Sequence, residues 1–164
     1  MRFFGLTVAV GAALVLGACG GGDKKAADTT AAAAPAAGAA PAAGAVAAKP
    51  ITGQTVEVKM IGDEKGYRFE PADITLKQGD GIKFIMVSGG PHNVAFDPAL
   101  LTDPVAKAQI EANMPEPVME LSGKYLVAPN ETYVLSMAGV PPGVYQFHCT
   151  PHIAMNMKGT ITIQ

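Results

Sequence analysis

From Thr55 onward the chain alternates apolar and polar positions in short runs, and before that point the alternation is missing. The stretch from Thr55 to Ile61 places Val56, Val58 and Met60 on one face, the period-two pattern of a half-buried strand. Ile74 to Lys77 repeats it after Pro-Ala-Asp, and Gln78 to Gly81 reads as a turn into the more continuously apolar run Ile82 to Val87. Thr132 to Met137, Val144 to Cys149 and Thr160 to Ile163 are further strands, separated by Pro-Asn-Glu and Pro-Pro-Gly. Many short strands with such turns predict an all-β chain folded as a Greek-key β-sandwich. One segment departs from the pattern: Asp103 to Asn113 has helical spacing, with Asp103 as N-cap, Pro104 in the first helical position, and Pro115 and Pro117 beyond its end.

The first third of the chain follows different rules. Arg2 supplies a small positive charge, Phe3 to Leu16 is apolar but too short for a permanent span, and Leu-Gly-Ala-Cys closes the run with small residues. Residues 1–18 are expected to be a secretory signal. From Gly20 to about Lys49, alanine is interrupted by Pro35, Gly38, Pro41 and Gly44, so no long helix and no apolar face can form. Residues 19–50 therefore read as a tether that would average roughly 30 Å end to end as a flexible coil. The remaining residues, 51–164, suffice for one domain with a single core. A formal charge of −2 offers no basic surface for nucleic acid.

Candidate chemistry is concentrated at the end of the domain. Cys149, His152 and Met157 lie within one short loop, and Pro-His-Asn-Val far upstream supplies His92. One thiolate, two imidazoles and a weak thioether form the donor set of a blue-copper site, which suits Cu(I) and Cu(II) about equally and so favours electron transfer. Only one other cysteine exists, Cys19. An unpaired thiol in an exported protein needs a reason, and metal binding supplies one. Strand alternation turns Phe147 and Cys149 inward and His148 outward.

Gly143 to Ile163, Gly89 to Asp97, and Ile74 to Ser88 together resemble the plastocyanin, pseudoazurin and amicyanin group of cupredoxins. The resemblance implies a cupredoxin fold holding one copper ion, ligated by His92, Cys149, His152 and a methionine. A Met-X-Gly ending selects Met157 for the axial position, whereas an amicyanin-length loop would select Met155. It also implies that Asn93 links the ligand loops by bonding near Thr150, with its amide approaching the Cys149 sulfur. Electrons would leave through an apolar surface around His152 formed by Pro91, Pro151, Ile153 and Ala154, with His148 as a second possible entry point. Leu-Gly-Ala-Cys resembles a bacterial lipobox, in which Cys19 becomes acylated and anchors the protein in the cell envelope. Gly20 after that cysteine favours the outer membrane in a Gram-negative host.

Three histidines are too few for a multicopper oxidase or a copper nitrite reductase, and no Gly-X-Ser-X-Gly elbow is present. The expected function is a monomeric, non-enzymatic electron carrier whose partners are redox proteins such as a cytochrome, oxidase, reductase or photosynthetic complex. The alternative is an exported copper chaperone or buffer.

Overall fold

The computed structural model describes residues 46–164. The signal, Cys19 and most of the tether lie outside the described residues. Among the described residues, eight strands form two four-stranded sheets packed face to face. The first contains β1 (Thr55–Asp63), β2 (Gly66–Glu70), β4 (Gly81–Met86) and β6 (Thr132–Ser136), in the order β2-β1-β4-β6. In the second, β3 (Asp73–Leu76), β8 (Lys158–Ile163), β7 (Gly143–His148) and β5 (Ala95–Phe96) follow the order β3-β8-β7-β5. Two pairs are parallel, β1 with β4 and β3 with β8; the others are antiparallel. The mostly β class and the single helix expected from the sequence are both present.

Alternation explains the core. Val58 and Met60 from β1, Ile82, Phe84 and Met86 from β4, and Tyr133 and Leu135 from β6 face Phe147 from β7 and Ile161 and Ile163 from β8. Phe69, Phe84 and Phe147 meet at ring-centroid separations of 4.7–6.0 Å, within the range of favourable edge and tilted contacts. Met60, Met86 and Met137 are buried as core fill.

Helix α1 (Pro104–Asn113) starts where its cap requires, with Asp103 Oδ1 accepting from the amides of Val105 at 2.8 Å and Ala106 at 3.3 Å. It closes one end of the sandwich with Ala106 and Ile110 turned inward. The chain preceding β1 is also part of the fold. Ala47 and Lys49 hydrogen-bond to the buried Gln109 and Asn113 of α1, and the Thr52 and Gly53 amides bond to the Gly79 carbonyl. Residues 47–50, read from composition as the end of the tether, are therefore held against the domain by groups far away in sequence. The pattern also misses β2, whose only fully inward residue is Phe69, and β5, which is two residues long.

Candidate metal centre

Three connections converge at the end of the sandwich opposite the start of β4. The first leaves β4 through Ser88, Gly89 and Gly90 to His92, whose backbone forms a bridge with Leu126: His92 N donates to Leu126 O at 3.0 Å and Leu126 N to His92 O at 2.7 Å. Gly89 has φ of 73°, and a side chain there would meet the Gly62 Cα at 2.5 Å, so only glycine allows this close crossing. The second connection leaves β7 at Cys149 and turns at once into a short 3₁₀ helix, Thr150–Met155. Asn156, in the left-handed conformation, reverses it, and Cys149 N donates to Met157 O at 3.0 Å across the base of the loop. The third is the β1–β2 turn, which brings Tyr67 to the same place.

His92, Cys149 and His152 come together here as a buried triangle. The Cys149 Sγ lies 3.6 Å from His92 Nδ1 and 3.4 Å from His152 Nδ1, and the two Nδ1 atoms are 3.1 Å apart. Nε2 of His92 is 2.8 Å from the Ser88 carbonyl, which can only accept, so the ring proton belongs on Nε2 and the Nδ1 lone pair points into the triangle. Burial pushes both histidines below their ordinary pKa, with His92 adding to the effect on His152 and the Ser88 carbonyl opposing it on His92. Burial pushes the Cys149 thiol up, against backbone hydrogen bonds from Asn93 and His152 that favour thiolate.

Two uncharged imidazoles and a sulfur aimed at one point fit a soft transition-metal ion. A point equidistant from the three donors is about 2.0 Å from each, which is metal–ligand bonding distance. The sulfur with two imidazoles favours a copper or zinc ion over calcium or magnesium.

The surrounding residues divide by depth. Met157 is fully buried, whereas Met155 is 51% exposed. The buried Asn93 joins both histidine loops: its Oδ1 accepts from Thr150 N at 2.8 Å, and its Nδ2 donates to Thr150 Oγ1 at 3.2 Å and Ser122 Oγ at 3.0 Å. Pro91, Pro151, Ile153 and Ala154 are exposed. His148 is half-buried, with Asp97, Leu100, Ile153 and Lys158 lining the same shallow depression. The sequence reading missed Tyr67, whose ring stacks on His152 with centroids 3.8 Å apart and planes 16° from parallel. Its partner lies 85 positions along the chain, so no local pattern marks it; the only cue is the pair Gly62 and Gly89, since a side chain on Gly62 would strike the Tyr67 ring at 2.6 Å.

Residues 56–164 match the sequence profile of a family described as copper binding proteins, plastocyanin/azurin family. A plastocyanin of Prochlorothrix hollandica is 33% identical over 119 residues, covering 73% of this chain and 80% of that protein. Another, from Dryopteris crassirhizoma, is 36% identical over 106 residues, covering 63% of this chain and 96% of the relative. The solved structure of the oxidized Dryopteris protein superposes with a TM-score of 0.50 at 33% identity, over 66% of this chain and all of that one.

Proposed function

Because this chain belongs to the plastocyanin/azurin family of copper-binding proteins, we propose that it is a membrane-tethered carrier passing single electrons between redox proteins through one copper ion. At the coarser level it is a copper electron-transfer protein of the plastocyanin type, and carriage rather than catalysis is what that family does. When bound, copper supplies a one-electron Cu(I)/Cu(II) couple. The protein's own work is to hold the donors still. The observation that carries the reading is the convergence of Cys149 Sγ and the two Nδ1 atoms, inside a frame that Asn93 and the Cys149–Met157 backbone pair tie together. In this reading His92, Cys149 and His152 are the strong ligands and Met157 the axial one.

Burial supports Met157 over Met155 for that role, since a half-exposed thioether is free to turn to water. The exposed Pro151, Ile153 and Ala154 beside the nearly buried His152 support electron exit through that face. The signal and lipobox-like cysteine support export and acylation at Cys19, which would anchor the carrier in the cell envelope, and Gly20 favours the outer membrane if the host is Gram-negative.

Loading the protein with one equivalent of copper(II) is expected to produce an intense visible thiolate-to-copper band that Cys149→Ser abolishes. A colourless wild type would overturn the blue-copper site, and rapid surrender of the copper to a competing apoprotein would instead support a copper chaperone or buffer. Separately, Cys19→Ser is expected to move the protein from the membrane fraction to the soluble fraction or leave it unprocessed, with its copper spectrum unchanged. Normal processing and an unaltered membrane fraction would reject acylation there.

A further inference from the structure

The segment preceding β1 lies outside the family-matched residues 56–164, yet it is stitched to the domain along its length. Gln109 Nε2 donates to the Ala47 carbonyl at 3.1 Å, and Lys49 N donates to Asn113 Oδ1 at 2.8 Å. Asn113 Oδ1 also accepts from Gln109 Nε2 at 2.9 Å, while Asn113 Nδ2 donates to the carbonyls of Ser136 at 3.0 Å and Ala138 at 2.9 Å. Both side chains are buried, and every donor and acceptor position of the Asn113 amide is occupied. Further on, Thr52 and Gly53 bond to Gly79 O at 3.0 and 2.9 Å, and Gln54 N donates to Asp80 Oδ1 at 2.7 Å. Residues 47–54 are a strap with a fixed path.

Strand register locates that strap. Ser136 and Thr55 both pair with Gly81, the first residue of β4, so the strap sits at the pole where β4 begins. The metal loops leave from the other pole, after Met86 of β4 and His148 of β7. The six residues of β4, five steps from Gly81 to Met86, separate the two by about 17 Å of strand before the loops themselves are added. Three of the metal-pole loops, residues 87–96, 125–130 and 149–157, contain no Asp, Glu, Lys or Arg, and the fourth, the β1–β2 turn, adds Asp63, Glu64 and Lys65, a net charge of −1. A face with one Lys beside two carboxylates lacks the cluster of Lys and Arg that anionic headgroups recruit.

We propose that the strap is a mount: it makes the tether leave from the pole opposite the metal, so the metal face of the anchored protein points away from its membrane toward a water-soluble redox partner. This rests on the lipid-anchor reading above. It adds the direction in which the carrier works.

The test uses the full chain with copper bound, on vesicles of neutral and anionic phospholipid containing an acceptor-dye lipid. A donor dye is placed on Ala154→Cys at the metal pole or on Lys77→Cys at the strap pole. Energy transfer to the lipid should be weaker from position 154 than from 77, and the gap should widen when residues 24–45 are deleted. Equal or reversed transfer would overturn the mount. A soluble cytochrome that oxidises the free domain should oxidise the vesicle-bound protein within about twofold of the same rate; a drop of tenfold or more would overturn the soluble-partner assignment. Amide exchange of residues 47–54 should accelerate at least tenfold in the Gln109→Ala/Asn113→Ala double variant with the copper spectrum intact, and exchange already that fast in the wild type would also refute the mount. If mass analysis finds no acyl chain on Cys19, the anchor reading alone fails, and a maleimide lipid coupled at Cys19 still reports the orientation.

Discussion

At the residue scale the two methionines of the ligand loop offer the sharpest contrast. They are two positions apart and chemically identical, yet the left-handed turn at Asn156 separates a fully buried Met157 from a half-exposed Met155. Met157→Leu is expected to raise the reduction potential and alter the visible spectrum, and Met155→Leu to leave both unchanged; a redox titration of the two variants checks this, and the reverse outcome would assign the axial role to Met155. What was legible at this scale is what chemistry and spacing encode: Cys149 and His152 share one loop, and Pro-His-Asn marks the other. Tyr67 was not legible, because it reaches His152 only through the fold. Tyr133 is similar: its hydroxyl is buried without a hydrogen-bond partner, in a strand whose period-two pattern predicts only that the ring faces inward.

Elements set how firmly the loops are held. The connection that carries Leu126 to the His92 bridge is closed by Glu131, whose Oε2 accepts from the amides of Val127 and Ala128. Those backbone bonds hold the Glu131 carboxyl below its ordinary value of 4.5. A depressed folded pKa means the contribution is complete above the unfolded value and is lost as pH falls through the folded one. The melting-temperature gap between the wild type and Glu131→Gln should therefore be full at neutral pH and close as pH falls below about 4.5; a gap independent of pH would show that the carboxylate charge is irrelevant. The helix was legible to its cap because Asp103-Pro104 encodes a local event. Strands β2 and β5 were not, since their existence depends on partners rather than on their own alternation. The strap was hidden for the same reason: Ala-Ala-Lys-Pro has the composition of a linker, and only Gln109 and Asn113 make it structure.

Across the described domain as a whole, one pole holds the strap and the other the ligand loops, which carry no charged side chain and leave Ile153 at 45% exposure. Because Ile153 is at the surface rather than in the core, Ile153→Lys is expected to slow electron exchange with a protein partner at least tenfold while the visible spectrum and melting temperature remain near wild type. Stopped-flow kinetics with a soluble cytochrome, measured beside both, checks it; unchanged kinetics in an intact blue protein would remove this face from the docking surface. The strand order has a consequence in time as well as in space. β8 is the last of the described strands and yet an interior one, the partner of both β3 and β7. A chain threaded outward from its N-terminus therefore cannot complete its second sheet until residues 158–163 emerge, and Cys149 and His152 precede them only slightly. In the export reading proposed above, the ligand triangle closes only after β8 has crossed the membrane, so the polypeptide stays pliable during transit and the ion is acquired on the far side.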